Sequence, residues 1–206
     1  MPLFRIAQAI ARFIGYLIFN IVQTGRENIP KKGAVIIASN HINLVDPGLH
    51  AICIRRTFRT MAKVELFRHK LLGFILRPLG AFPVTRGKAD KRSFVTAANV
   101  LRDEHALLIF PEGTRSRTGQ LGTFKAGAVA LCAMTKAPII PAAMIQRKHL
   151  RLFDKVVIVY GEPITYEELG LDDTSSANLR RGTEILQKRV ADMIEAKGGQ
   201  PCGKVK

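Results

Sequence analysis

The sequence is poor in aromatic side chains, which make up 7% of its 206 residues, with three Tyr and no Trp. Proteins that bind single-stranded nucleic acid stack bases on exposed aromatic rings. The sequence also lacks an RNP-like aromatic motif and a zinc-finger spacing. We therefore expect no nucleic-acid partner.

Cysteine is also scarce, and the three that occur, Cys53, Cys132 and Cys202, are far apart, with no CxxC pair. An odd and scattered set is typical of structural thiols in a reducing compartment rather than of a disulfide framework or a zinc site. No other cluster has the spacing of metal ligands, so we expect no bound metal.

Several common catalytic and cofactor-binding motifs are missing. The sequence has no GxGxxG, no GxxxxGK[ST], no HExxH and no GxSxG. This disfavours dinucleotide enzymes, P-loop NTPases, zinc proteases and hydrolases with a serine nucleophile. No cofactor is expected.

Acidic residues are half as frequent as basic ones: 16 Asp and Glu stand against 32 Lys and Arg, which gives a net charge of +16. Residues 1–95 carry 16 basic and 4 acidic side chains, so most of the excess lies in the first half of the chain. Such an excess repels itself in the folded state and suggests an anionic partner. With nucleic acid disfavoured, a membrane surface and a phosphorylated substrate remain.

The most apolar segment, Leu3–Val22, has a polar stripe at helical spacing that includes Arg5, Gln8 and Arg12. Its longest uncharged run covers residues 13–25, whereas a helix that crosses a bilayer needs about 20 apolar residues. We predict an amphipathic helix in the membrane surface, with arginines among the headgroups. A helix packed on the core is the alternative; a signal peptide is disfavoured because no clear A-x-A site follows. Residues 1–23 would be this helix, and residues 24–206 would form the domain that follows it.

Apolar runs of strand length alternate with helical patterns along the rest of the chain, which predicts a single α/β domain with a mixed, partly parallel central sheet flanked by helices. The segment Thr24–Lys32 is predicted as a turn-like, charged connector, and Arg55–Arg59 form a basic patch. The strands are predicted at residues 34–39, 81–84, 106–110, 139–145 and 156–160. The helices are predicted at residues 48–54, 66–79, from a cap at Asp90 onward, 124–134 and 176–196.

A histidine and a carboxylate stand five residues apart in NHINLVD (residues 40–46), which follows a predicted strand. Asp46 can turn back to accept the Nδ1 proton of His41, which leaves Nε2 as a general base. No Ser or Cys in a known nucleophile context is adjacent, so the pair would activate a hydroxyl of the substrate. Alone, this spacing is also common in exposed surface pairs.

Three further segments follow in order: GAFPVTR (residues 80–86), FPEGTRS (residues 110–116) and APIIP (residues 137–141). FPEGTRS follows a predicted strand and offers backbone N–H groups and an arginine fork to a phosphate. Taken separately, each segment is also compatible with a structural turn or strand.

Together and in this order, the four segments resemble those of the glycerolipid acyltransferase family, over about Gly33 to Pro163. The resemblance implies transfer of a fatty acyl group from acyl-CoA or acyl-acyl carrier protein, as co-substrate, to the free hydroxyl of 1-acyl-sn-glycerol-3-phosphate. The product would be phosphatidic acid. Other acceptors, namely glycerol-3-phosphate or another lysophospholipid, remain open. The alternatives from other classes are a thioesterase or hydrolase that uses water, and a non-enzymatic protein that binds anionic membrane or nucleic acid.

The resemblance also implies roles for particular residues. His41 would be the general base and Asp46 the group that orients it, with no covalent acyl-enzyme. Backbone N–H groups of residues 110–116 would be candidates for an oxyanion site. The residues implied in substrate binding are Lys63, Arg86, Glu112, Gly113, Thr114 and Arg115, with Glu112 holding the glycerol or shaping the loop.

The anionic lipid substrate and the basic charge together suggest a peripheral or monotopic enzyme on the cytoplasmic face of the cell membrane. Its partners would be an anionic phospholipid surface, lysophosphatidic acid, and acyl-CoA or acyl carrier protein. Typical family members carry a longer two-helix N-terminal element, whereas here about 23 residues precede the connector. Attachment would therefore rest on one helix.

Overall fold

The computed structural model describes residues 2–77, 80–84, 91–171 and 175–199. In this part of the chain, seven strands form one sheet, in the order β1-β7-β6-β2-β5-β3-β4. The strands are β1 (Asn20–Thr24), β2 (Val35–Ser39), β3 (Phe58–Lys63), β4 (Ala81–Val84), β5 (Ala106–Ile109), β6 (Ile139–Ile145) and β7 (Lys155–Tyr160). The helices are α1 (Pro2–Ile18), α2 (Asp46–Cys53), α3 (Val64–Arg68), α4 (Lys70–Leu76), α5 (Lys91–Arg102), α6 (Gly127–Thr135) and α7 (Ser176–Glu195).

The sheet is mixed and mostly parallel. The pair β6 and β7 is antiparallel, and the other five pairs are parallel, so strands β2 to β6 all point the same way. Their C-terminal ends form one edge, which we call the carboxyl edge, and ligands of α/β proteins bind at such edges. The predicted α/β fold with a mixed sheet flanked by helices is confirmed.

The central strands are buried on both faces because helices cover both sides of the sheet. Alternate residues of one strand enter different cores, as Ile36 and Ile37 of β2 do. One core is shared with α5, α6 and α7, and the other with α2. This double burial explains why β2, β5 and β6 are continuous apolar runs in the sequence.

Two strands were not predicted. The helix expected through Val22 ends at Ile18, and Asn20–Thr24 form the edge strand β1 instead, so the predicted boundary after residue 23 falls inside a strand. Likewise, no strand was expected at the basic patch Arg55–Arg59, and it leads into β3 at Phe58. The apolar stretch over residues 66–79 was expected to be helical with an interruption at Gly73; it forms two short helices, α3 and α4, and the break lies at His69 instead. The cap expected at Asp90 lies outside the described residues.

Helix α1 lies against α2, and Gln8 and Arg12 of its polar stripe face α2, so Arg12 does not lie among headgroups as expected. The Arg5 side chain lies outside the described part of the structure. The Gln8 side chain donates to the carbonyl oxygens of Ala51 and Ile54, and Arg12 Nε donates to that of Ile52 at 2.8 Å. These carbonyls lie at the C-terminal end of α2, which favours a cation. The outward face carries the exposed apolar residues Ile6, Ile10, Phe13, Ile14 and Leu17. No helix in the described ranges has the length and hydropathy that crossing a membrane would require.

We predict that Gly25→Ala destabilises the fold by about 3 kcal/mol, because alanine is strained in the left-handed region and its methyl group would overlap a backbone oxygen. Gly25 has a φ of 72°, and a Cβ there would meet the carbonyl oxygen of Tyr160 at the end of β7. Urea unfolding measures the loss. Gly127→Ala, at the open start of α6, is the matched control and should be neutral or slightly stabilising. Equal effects of the two changes would contradict this account.

Candidate active site

The loops that follow β2, β5 and β6 meet at the carboxyl edge, because these three strands are neighbours in the sheet. Asn40, just after β2, holds this arrangement. Its side chain donates to the Met144 carbonyl oxygen at 2.9 Å and accepts from the Met144 amide at 2.7 Å. These two buried hydrogen bonds fix the end of β2 against β6, so that His41 begins from a rigid position.

His41 and Asp46 form the expected pair. His41 Nδ1 lies 2.8 Å from Asp46 Oδ2, and both side chains are buried. The same oxygen also accepts hydrogen bonds from the amides of Ile42, at 2.6 Å, and Asn43, at 2.9 Å. Asp46 is the first residue of α2, so the turn that starts the helix brings its carboxylate back toward His41. This geometry holds the Nδ1 side of the imidazole and directs Nε2 away from the carboxylate.

Gln146 is a further hydrogen-bond donor to Asp46, and the sequence did not predict this role. Its Nε2 donates to Asp46 Oδ1 at 2.7 Å, from the position directly after β6. One hundred residues separate the two, and no local pattern marks a glutamine for this contact. The only available signal was its place at the C-terminal end of a strand, where functional residues of α/β folds gather.

Glu112 lies on the other side of His41. Its Oε1 accepts the backbone N–H of His41 at 2.9 Å, and its carboxylate also accepts the backbone N–H of Gly122. Burial raises the pKa of Glu112 from 4.5 to about 7, and the two hydrogen bonds oppose this rise. Of the two roles expected for Glu112, these contacts favour shaping the loop.

The segment after β5 holds the His41 ring and main chain. The Phe110 ring stacks on the imidazole, with 4.2 Å between ring centres and 22° between planes. The Ser116 amide donates to the His41 carbonyl oxygen at 2.7 Å. Gly113, with a φ of 72°, makes a turn by donating to the Phe110 carbonyl at 2.9 Å. The Gly113 and Ser116 amides already donate to carbonyl oxygens of the protein. These two N–H groups are therefore weaker candidates for an oxyanion site than the other backbone N–H groups of this loop.

An open depression of about 550 Å³ adjoins Glu112, and exposed Thr114 and Arg115 line it. The cationic side chain and the hydroxyl suit an anionic group. Of the other predicted binding residues, Lys63 ends β3 at the same carboxyl edge, where its Nζ lies 3.2 Å from Glu65. Two strand spacings, roughly 10 Å, separate β3 from β2. Arg86 lies outside the described residues.

A second histidine, His50, lies behind the pair. It is fully buried, and its Nδ1 lies 2.9 Å from the Tyr160 hydroxyl. Burial lowers the pKa of His50 from 6.5 to about 4; the nearby Asp46 opposes this shift and His41 adds to it. His50 is therefore neutral at pH 7.

The cysteines do not supply a nucleophile. Cys53 and Cys132 are buried free thiols, and burial raises the pKa of each to about 12. A thiol of that kind is inert at neutral pH. Cys202 lies outside the described residues. Within the described ranges, no three His, Cys, Asp or Glu side chains are grouped to hold a metal ion.

A buried His–Asp pair beside an exposed loop is suited to general-base catalysis of group transfer onto a hydroxyl of the substrate. The chain belongs to the acyltransferase family: the family model with the description Acyltransferase matches residues 20–145, more than half of the sequence. This range begins at β1 and ends with β6, so it contains His41, Asp46 and the loop from Phe110 to Ser116.

Two relatives are similar over most of the chain. The 1-acyl-sn-glycerol-3-phosphate acyltransferase of Bacillus subtilis is 33% identical over 172 residues, which are 82% of this chain and 85% of the relative. The protein of the same name from Borreliella burgdorferi is 30% identical over 183 residues, 85% of this chain and 72% of the relative.

A solved structure has the same fold. The crystal structure of the 1-acyl-sn-glycerophosphate acyltransferase PlsC from Thermotoga maritima matches with a TM-score of 0.78 and 23% identity. The match covers 97% of this chain and 81% of that one. The family model and the two relatives together confirm the expected membership of the acyltransferase family.

We predict that His50 makes the protein less stable at acid pH. Its pKa is about 6.5 unfolded and about 4 folded. Its contribution is therefore complete above pH 6.5 and falls by about 3 kcal/mol as the pH drops to 4. The raised pKa of Glu112 has the opposite effect: its contribution to stability falls as the pH rises from 4.5 to 7. Urea unfolding of wild type and His50→Gln across this range isolates His50, because Glu112 contributes equally to both.

The exposed His105 gives a matched control, since His105→Gln should follow the wild-type pH dependence. Parallel stability curves for wild type and His50→Gln would show that burial does not hold His50 neutral.

Proposed function

We propose that the protein transfers a fatty acyl group from acyl-CoA or acyl-acyl carrier protein to the free hydroxyl of 1-acyl-sn-glycerol-3-phosphate, giving phosphatidic acid. The observation that carries this proposal is the contact of His41 Nδ1 with Asp46 Oδ2 at 2.8 Å in a chain of the acyltransferase family. The names of the relatives from Bacillus subtilis and Borreliella burgdorferi support the choice of acceptor.

The reaction needs a base for the acceptor hydroxyl. His41 Nε2 takes the hydroxyl proton while the oxygen attacks the thioester carbonyl carbon, a general-base step that contributes about 10²–10⁴-fold. Asp46 holds the imidazole through Nδ1 and stabilises the imidazolium that forms. When the tetrahedral intermediate collapses, the C–S bond breaks and the sulfur leaves with the proton from His41. The substrate supplies the nucleophile, so no acyl-enzyme forms.

The positions of the neighbouring residues divide the other roles. Arg115, exposed at the rim of the depression beside Glu112, would bind the acceptor phosphate with Thr114. Glu112 would act as a positioning residue, since its carboxylate accepts the His41 amide. Gly113 would let the loop turn closely beside the bound substrate, given its φ of 72°. Lys63 and Arg86 remain further candidates for the phosphate.

A lipid acceptor implies that the enzyme works at a membrane surface. The outward apolar residues of α1, such as Ile10, Phe13 and Leu17, would enter the boundary between headgroups and acyl chains. The net charge of +16 would favour anionic phospholipids. We therefore place the protein as a peripheral or monotopic enzyme at the cytoplasmic face of the cell membrane.

Acyl transfer by the purified protein tests this function. We predict that wild type converts labelled lysophosphatidic acid to phosphatidic acid with acyl-CoA or acyl-acyl carrier protein, and that His41→Ala lowers the rate at least about 10²-fold by removing the base. The control is His105→Ala, an exposed histidine ahead of β5 at the opposite edge, which should keep wild-type turnover.

Circular dichroism should show that both variants are folded. If product forms only from glycerol-3-phosphate or from another lysophospholipid, the protein is an acyltransferase with a different acceptor. Free fatty acid without an acceptor would indicate a thioesterase. Equal turnover by a folded His41→Ala would refute the assignment of the base.

A further inference from the structure

The β6–β7 loop, residues 146–154, combines basic and apolar side chains beside the active site. It begins at Gln146, which contacts Asp46, and β7 returns antiparallel to β6, so the loop stays at the carboxyl edge. Leu152 and Phe153 at its tip are 68% and 74% exposed. The exposed basic residues of the loop are Arg147, Lys148 and Arg151.

The tip of the loop is fixed in an unusual conformation. Phe153 has a φ of 64°, in the left-handed region that a bulky side chain rarely adopts. The Phe153 amide donates to the Ile18 carbonyl at 2.7 Å, and Asp154 accepts the Arg151 amide at 2.9 Å. The fold therefore holds an aromatic ring outward at a strained position, where glycine would fit without strain. Strain of this kind points to a function for the side chain.

The loop joins two other apolar surfaces. Its bond to Ile18 places Phe153 at the C-terminal end of α1, where exposed Leu17 ends the outward apolar stripe. On the other side, the Asn43 side chain donates through Nδ2 to the Arg147 carbonyl oxygen at 3.0 Å. The next two residues, Leu44 and Val45, are also exposed and lie between His41 and Asp46 in the sequence. The loop thus links the outer face of α1 to the segment between His41 and Asp46.

We propose that the β6–β7 loop is a second membrane-contacting element, with an anionic phospholipid bilayer as its occupant. Leu152 and Phe153 insert between headgroups, and the basic side chains of the loop bind lipid phosphates. The loop carries three basic residues and one acidic residue, Asp154, which lies 3.5 Å from Arg147. Its net positive charge complements an anionic surface. This inference rests on the proposed function only in that the acceptor is a lipid.

The two elements together fix the orientation of the enzyme. One helix in the membrane surface leaves the protein free to rotate about the helix axis, whereas a second contact near His41 holds the carboxyl edge of the sheet against the bilayer. A lysophospholipid could then keep its acyl chain in the membrane while its headgroup reaches His41.

Vesicle binding by the full chain tests the loop. The variants are Phe153→Gly and the double change Leu152→Ser with Phe153→Gly, and the probes are vesicles of phosphatidylcholine with or without phosphatidylglycerol. We expect the double variant to lose roughly tenfold or more in affinity for anionic vesicles, since two apolar side chains no longer leave water. Phe153→Gly relieves the strained φ, so its melting temperature should equal or exceed that of wild type.

Val95→Ser is the matched control, because Val95 is 54% exposed on α5, on the face of the sheet opposite α2. It should bind vesicles as wild type does. Replacement of Arg147, Lys148 and Arg151 by Gln should reduce the preference for phosphatidylglycerol. The proposal is wrong if the double variant binds vesicles with wild-type affinity. It is also wrong if the double variant changes only the oligomeric state that is measured without vesicles.

Turnover on a short-chain, water-soluble lysophosphatidic acid separates this inference from the proposed function. The loop variants should keep wild-type rates on that acceptor and slow only on vesicles. If wild type itself fails on the soluble acceptor, the proposed function fails, while vesicle binding still decides the role of the loop.

Discussion

The buried carboxylate of Asp46 is the group on which the active site depends. Fully buried, it accepts four hydrogen bonds, from His41 Nδ1, the amides of Ile42 and Asn43, and the Gln146 side chain. A carboxylate taken out of water without donors is strongly unfavourable. The donors come from the loop between β2 and α2 and from the residue after β6. The site therefore forms only when β2 and β6 are adjacent in the sheet.

A second buried carboxylate, Glu112, faces a different environment. Asp46 holds the His41 side chain, whereas Glu112 holds the His41 backbone and the Gly122 amide. Burial raises the pKa of Glu112 to about 7, so part of the population is neutral at physiological pH. The two acids thus fix one histidine from its ring and from its main chain, and Phe110 fixes the plane of the ring. A general base held this firmly requires little reorganisation during proton transfer.

The sequence predicts β2, β5 and β6 because these strands are buried on both faces of the sheet and are therefore continuous apolar runs. It predicts the His41–Asp46 pair because both residues lie in one short segment. Edge strand β1 is hidden because its apolar residues continue those of α1, and β3 because its composition, Phe58–Lys63, is half polar. The contact of Gln146 with Asp46 depends on the order of strands, which no local pattern encodes. Similarly, the inward direction of Arg12 depends on the carbonyls at the end of α2.

The most direct test of this account is kcat/KM for acyl transfer by Asp46→Asn relative to wild type. The change keeps the shape of the side chain but replaces one carboxylate oxygen, a hydrogen-bond acceptor, with an NH2 donor. It therefore removes both the orientation of His41 and the negative charge that stabilises its imidazolium. We predict a loss of at least about 10²-fold with the fold retained. Asp103→Asn, an exposed aspartate after α5, should leave the rate unchanged. A folded Asp46→Asn protein within about threefold of wild type would contradict a mechanism based on this pair.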